Sequence, residues 1–198
     1  MNNKKRLLIV FYRNPELGKV KNRLAVTVGE ERALALYLLM AAHARNVSLA
    51  LSVDRVVYYT EFIDTEDSWL NQDFIKRLQH GDALGEKMKY AFEESFRSGY
   101  ESVCIIGTDC FELTSEILDN AFAFLETNDT VIGPAADGGY YLLGMNQYIP
   151  EIFDNKIWST SSVCADTMDD FKRLLLHYHV LPTLHDVDTE SDLPPHLR

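Results

Sequence analysis

The sequence is short of cysteine, of positive charge and of long apolar runs, and each shortage argues against a class of protein. Its three cysteines, Cys104, Cys110 and Cys164, are odd in number and lack metal-ligand spacing. Free thiols in a reducing cytoplasm are therefore expected, and not a disulfide framework or a zinc module. The formal net charge of −11 argues against general nucleic-acid binding. No apolar run nears the roughly 20 residues that span a bilayer. The chain starts basic and then apolar, as a leader would, but Arg13-Asn14-Pro15 stands where a small-residue cleavage site belongs. That start reads as a first strand instead. There is no internal repeat, low-complexity segment or clear linker. With 198 residues and 46% hydrophobic composition, one domain over residues 1–198 with a sizeable core is expected.

The scarce positive charge is gathered in one place. The first 23 residues hold Lys4, Lys5, Arg6, Arg13, Lys19, Lys21 and Arg23 against a single acid, Glu16. Lys4 to Arg6 fit a solvated tail. The spaced set from Arg13 to Arg23 does not, because it follows a strand and surrounds Gly18 in a loop ahead of a helical turn. Such a loop makes an anion site, where backbone N–H groups and side-chain cations converge on phosphates. It is not a P-loop, which needs Gly at Arg13 and Ser or Thr at Val20.

Strands and helices alternate along the chain. Strands are expected at Leu7–Tyr12, Val53–Thr60, Phe74–Gln79, Val103–Ile106, Thr130–Ala135, Tyr140–Met145 and Tyr178–Leu181. Helices are expected at Glu30–Leu51 (stripe Leu34, Tyr37, Leu38, Ala41, Ala42), Asp64–Leu70, Leu84–Ser98, from Thr114 as N-cap to Leu125, Thr160–Leu176 and Asp186–Leu193. The alternation predicts a three-layer α/β/α sandwich around a mostly parallel mixed sheet. The apolar run Val103–Ile106 suits a strand covered on both faces. Asp109 follows it, where open α/β sheets place their ligands, and could hold a divalent cation or merely cap a turn. Asp186 and Asp188 would complete a hard-cation site if they approached Asp109. Gly85, at a helix start, would allow close backbone approach to a ligand. Asp137-Gly138-Gly139 reads both as a hairpin turn and as a loop that lays amides against a sugar or phosphate. His177 and His179 are expected to be ordinary structural histidines.

In order, these motifs resemble a bacterial family of predicted glycosyltransferases with the GT-A fold of the nucleotide-diphospho-sugar transferase superfamily, some of them arsenosugar-biosynthesis glycosyltransferase-like. The family pattern Arg-x-Pro-x-x-Gly-Lys-x-Lys-Thr-Arg-Leu matches Arg13 to Leu24. Leu-Gly-Glu-Arg-Met matches Leu84 to Met88, with Lys87 for Arg. Gly-[Ser/Thr]-Asp-Cys-Pro matches from Gly107 to Cys110, and Gly-Pro-Ala-x-Asp-Gly-Gly-Tyr-Tyr-Leu matches Gly133 to Leu142. Trp158 to Thr160 and Asp186 to Thr189 match the remaining two. Asn22 replaces the family's Thr, and Phe111 its Pro, which is expected to loosen the loop beside Asp109.

The resemblance implies a cytoplasmic, metal-dependent glycosyltransferase with a nucleotide-sugar donor and a small-molecule acceptor, and it allows a homodimer. Arg13, Lys19, Lys21 and Arg23 would hold the diphosphate in the loop of Gly18, with Gly85 close to the nucleotide. Asp109 would carry Mg²⁺ or Mn²⁺, with Asp188 and its neighbour Asp186. Asp137 could act as base, with Gly138, Gly139 and Trp158 on the substrate side. Lys21 joins Asp109 and Asp137 among the catalytic residues. Two alternatives remain open: a nucleotidyltransferase, similar to molybdenum-cofactor or phospholactate guanylyltransferases, that takes a nucleoside triphosphate and releases pyrophosphate, and a non-catalytic nucleotide-binding protein.

Overall fold

The computed structural model describes residues 4–198. Residues 1–3 of the expected domain lie outside the described residues. Seven strands form one sheet: β1 (Arg6–Tyr12), β2 (Asp54–Tyr59), β3 (Ile75–Leu78), β4 (Ser102–Ile106), β5 (Thr130–Pro134), β6 (Tyr140–Met145) and β7 (Tyr178–Val180). Their spatial order is β3-β2-β1-β4-β6-β5-β7. All pairings are parallel except those of β6, which runs against both β4 and β5.

Alternation along β1 separates two cores. Leu8, Val10 and Tyr12 face one side, and Leu7 and Ile9 the other. The first side is covered by α1 (Asn22–Val28), α2 (Glu30–Leu49) and α4 (Ser115–Phe124). The second is covered by α3 (Leu84–Arg97) and α5 (Val163–Arg173). Every residue of β4 is buried, as its unbroken apolar run requires. At the start of α4, Thr114 caps as expected, its Oγ1 accepting from the Ile117 N–H at 3.2 Å.

Four expectations need correction. Helix α2 buries Ala33, Leu36, Tyr37, Met40, Ala41 and Ala44, while Leu38 is 45% exposed. Its sequence is apolar nearly all round, so spacing alone does not choose the face. Asp64–Leu70 is a run of bends, not a helix. There the Asp64 and Asp67 carboxylates accept from the Glu66 and Trp69 N–H groups, at 2.8 and 3.1 Å, in place of helical bonds. Lys76 and the Tyr59 hydroxyl then fasten Asp67. Asp186–Leu193 holds only a single 3-10 turn, Glu190–Asp192, capped by Thr189. Asp186 and Asp188 therefore lie ahead of it, outside any helix or strand. Helix α5 is shorter at both ends than the expected Thr160–Leu176.

The chain builds outward from β1 to β2 and β3, then returns to the far side of β1 as β4. That reversal opens a crevice beyond the carboxyl ends of β1 and β4. Because β6 is antiparallel, its leading turn lies at the same end, with Leu142 opposite Ile106. The stretch after β7 joins them through an Ala135–Leu184 bridge. A hydrogen bond from the Val187 N–H to the Asp109 carbonyl, at 2.9 Å, completes the connection.

Candidate active site

The crevice holds a cavity of about 660 Å³, within the range of small-ligand sites. Three segments supply much of its polar wall: Arg13, Lys21, Asn22 and Arg23 after β1, Thr108 and Asp109 after β4, and Asp186 and Asp188 after β7.

Lys21 is the centre of this arrangement. It takes a left-handed backbone, φ 49° and ψ 46°, just ahead of α1. A non-glycine residue there costs about 1–2 kcal/mol, so its surroundings must hold it. Its side chain is only 7% exposed, and its ammonium lies 3.1 Å from Asp109 Oδ2 and 3.6 Å from Asp188 Oδ1. Arg23 Nη1 donates to the other Asp188 oxygen at 2.9 Å. Asp186 sits beside this set, and burial together with the charges of Asp109 and Asp137 pushes its carboxyl up to about 7.

Two buried polar side chains position the loop after β1. The Tyr37 hydroxyl donates to the Arg13 carbonyl at 2.7 Å and accepts from the Arg13 N–H at 3.0 Å. It also lies 3.5 Å from Thr108 Oγ1, and so joins the cationic loop to the Asp109 loop. The Asn14 amide accepts from the Glu61 N–H and donates to the Phe62 carbonyl, both at 3.0 Å, and ties the same loop to the end of β2. Tyr37→Phe should leave both Arg13 backbone groups unpaired and cost about 1–3 kcal/mol in urea unfolding. An unchanged midpoint would show that the hydroxyl does not fasten the loop.

The other expected residues fall outside the cavity wall, each for a visible reason. Lys19 pairs with Glu16 on the surface at 2.8 Å, which raises its pKa. Gly18, with φ 73°, turns the loop beside the Glu30 carboxylate. A Cβ on Gly85 would come within 2.2 Å of the Trp158 indole, so that glycine admits a side chain and not a ligand. Trp158 packs on Gly85 and stacks near Phe153, while its neighbour Ser159 reaches the cavity. The Asp137 carboxylate accepts from its own turn, the Gly139 N–H, at 2.8 Å. Gly138, with φ 93°, lies against the Ser161 carbonyl and accepts from the Cys164 N–H at 3.0 Å. The Asp-Gly-Gly turn is thus a fixed corner whose Asp137 charge still acts on Asp186, and the tyrosines after it, Tyr140 and Tyr141, line the cavity. Phe111 packs against His43, with ring centroids 5.9 Å apart, and anchors the Asp109 loop where loosening was expected.

Cavity residues that the sequence reading did not single out are Tyr37, Thr60, Gln79 and Lys87. Lys87 sits inside a matched motif, but a lysine on an amphipathic helix also suits a solvated face. The others carry no local signal.

Among the described residues, no three acidic, histidine or cysteine side chains converge closely enough to hold a metal. Asp109 and Asp188 do converge on one point, where the Lys21 ammonium stands in for a cation. Two carboxylates completed by substrate phosphates are the usual surroundings of Mg²⁺, so the donor set fits that ion.

The sheet order, the two helical layers and the crevice at the strand reversal define the nucleotide-diphospho-sugar transferase fold. Residues 43–160 match the family described as uncharacterized protein conserved in bacteria (DUF2064), and the chain belongs to that family. It is similar to a candidate nucleotide-diphospho-sugar transferase from Desulfovibrio desulfuricans G20, with 31% identity and a TM-score of 0.86 over 94% of this chain and 84% of the other. The fold also matches the inositol-1-phosphate CTP transferase from T. maritima, with 14% identity and a TM-score of 0.59 over 100% and 95% of the two chains. It matches a 4-diphosphocytidyl-2C-methyl-D-erythritol synthase from Anaerococcus prevotii DSM 20548 as well, with 11% identity and a TM-score of 0.61 over 96% and 94%. No curated protein matches the chain.

Proposed function

We propose that this protein is a transferase that takes a nucleotide-diphospho-sugar donor with Mg²⁺ or Mn²⁺ and passes the sugar to a small-molecule acceptor. The observation that carries this reading is the buried Lys21 ammonium between Asp109 and Asp188. A chain of net charge −11 that gathers Arg13, Lys21 and Arg23 at one strand end is prepared for an anion. The description of the Desulfovibrio desulfuricans relative supports the same class.

In this reading Arg13, Lys21 and Arg23 hold the diphosphate, and Asp109 and Asp188 hold the cation. Phosphate oxygens compete for the Lys21 ammonium, and its withdrawal leaves the acid pair without that counter-charge and open to a divalent ion. Nucleotide and cation therefore strengthen each other's binding, by the same factor in both directions. A metal held by Asp109 and Asp188 would supply charge stabilisation to the departing diphosphate. Lys21 adds its charge where burial weakens screening, and Arg23 adds a second from the exposed rim.

A second reading has its own support. Arg13, Lys21 and Arg23 suit a triphosphate as well as a diphosphate, and the T. maritima fold relative is a CTP transferase. That reading makes the protein a nucleotidyltransferase releasing pyrophosphate. A thermal-shift screen of nucleotide sugars and the matching triphosphates, with and without Mn²⁺, separates the two. Saturation at 100 times the dissociation constant stabilises by about 2.7 kcal/mol, a readable shift. A Mn²⁺-dependent shift with one diphospho-sugar is the expected result. A shift with triphosphates alone favours nucleotidyl transfer, and no shift with either overturns the site assignment.

A further inference from the structure

Lys87 is a cavity cation that no part of the proposed donor site uses. Helix α3 presents Leu84, Lys87 and Met88 to the cavity, the i, i+3, i+4 face of its first turns. Two contacts set that rotation. Gly85 lies flat on the Trp158 indole, and Lys87, two positions or about 200° further round the helix, is directed away from that contact. Glu86 folds back on the helix start, accepting from the Asp82 N–H at 2.8 Å and the Ala83 N–H at 3.4 Å, so it is not a partner for its neighbour.

The electrostatic contrast with the other cavity cations is sharp. Lys21 and Arg23 are paired with Asp109 and Asp188. Arg13 donates to the Lys19 carbonyl at 3.3 Å. On α3 itself, Lys89 is paired with Asp154 at 2.7 Å. Among the described residues, the Lys87 ammonium has no acid within ion-pair distance. It is half-buried, and apolar groups of Leu84, Met88 and Phe11 share its part of the cavity wall. A cation there gains from an anion that a ligand brings, because the surroundings screen the pair less than open water does.

Its position separates it from the phosphate cations. Helix α1, which carries Arg23, packs on one face of the sheet, and α3 packs on the other. The two sets thus approach the crevice from opposite faces. The same wall also offers the Ser159 hydroxyl, while the Tyr140 hydroxyl donates to Met88 Sδ at 3.7 Å and holds the helix turn that carries Lys87.

We propose that Lys87 is a specificity-determining residue that receives the anionic group, phosphate or carboxylate, of the acceptor. The inference rests on the transferase reading above and adds the acceptor's class: a small, negatively charged hydroxy compound, not a neutral alcohol. A second anion brought beside the donor's phosphates is repelled by them, and Lys87 offsets that repulsion on the acceptor's side.

The test titrates inorganic phosphate and, separately, acetate into the protein saturated with a nucleoside diphosphate and Mg²⁺, at constant ionic strength. It compares wild type, Lys87→Met and Lys87→Arg. At least one anion should bind the wild type, about tenfold more weakly to Lys87→Met, with binding retained in Lys87→Arg. The anion that responds tells phosphate from carboxylate. Nucleoside diphosphate affinity and melting temperature should be unchanged in both variants, which a merely structural lysine would not predict. Equal anion binding by wild type and Lys87→Met, or no anion binding by the wild type, overturns the proposal. So does a comparable loss of nucleotide affinity in Lys87→Met, which would make Lys87 a donor-site residue and leave the transferase reading standing. If no nucleoside diphosphate binds the wild type, the donor reading fails, and the same anion titration on nucleotide-free protein still decides the role of Lys87.

Discussion

Asp109→Asn is expected to abolish cation-supported nucleotide binding while the protein stays folded, with turnover reduced roughly 10²–10³-fold. The asparagine keeps the shape and can still accept from Lys21, so the loop retains its contact at the site of the 3.1 Å ion pair. The substitution removes the charge that would hold a divalent ion with Asp188. It also relieves part of the repulsion on Asp186, whose carboxyl should fall from about 7. Calorimetric titration of nucleoside diphosphate with and without Mn²⁺ reads the result. Unchanged binding and turnover in Asp109→Asn would remove the metal role from this aspartate.

Lys21→Met should weaken nucleotide binding by roughly 10- to 100-fold, the worth of one lost charge-assisted hydrogen bond. It should also alter stability in a pH-dependent way. In the metal-free protein, burial and neighbouring carboxylates raise Asp186 from 3.8 to about 7, while the Lys21 charge opposes the rise. The folded state therefore holds that proton more tightly than the unfolded chain does. The associated stability is complete below about pH 4 and is lost as pH rises through about 7. Without Lys21 the rise is larger, so the fall in melting temperature toward alkaline pH should steepen. Lys21→Arg should recover the charge but not the fit, because the ammonium stands within 4 Å of two acids in a site only 7% exposed. A pH–melting curve for Lys21→Met that parallels the wild type would show that its charge does not govern the acid cluster.

Much of the architecture was legible in the sequence because local chemistry and fold agree there. The apolar run before Gly107 is a strand covered on both faces, and Thr114 caps its helix. Alternating strands and helices identified the layers, and the cationic stretch after β1 does reach the cavity. Helix α2 was placed but not rotated, since Leu38 and Leu39 are as apolar as the residues it buries. The Asp64–Leu70 helix failed because aspartate side chains compete for the backbone there.

The site was legible as a set of charges and illegible as a set of contacts. Arg13, Lys21, Arg23, Asp109, Asp186 and Asp188 do meet at one cavity. Gly85 looked like a ligand-approach glycine because nothing local announces that Trp158, 73 positions later, packs against it. The Asp137 turn carries one signal for two roles, and its packing against Ser161 and Cys164 could not be read from the sequence. Tyr37 reads as helix core, and its hydroxyl gains its role only when the loop after β1 folds over it.

The central claim is that nucleotide phosphates and a divalent cation share the crevice around Lys21, Asp109 and Asp188. The most direct measurement is Mn²⁺ affinity, read as free Mn²⁺ by electron paramagnetic resonance, with and without a saturating nucleoside diphosphate, on wild type and Asp109→Asn. Mn²⁺ should bind the wild type about tenfold or more tightly when nucleotide is present, in line with ordinary coupling energies, and that gain should vanish in Asp109→Asn. Equal Mn²⁺ binding with and without nucleotide, or a gain that survives in the variant, would contradict it.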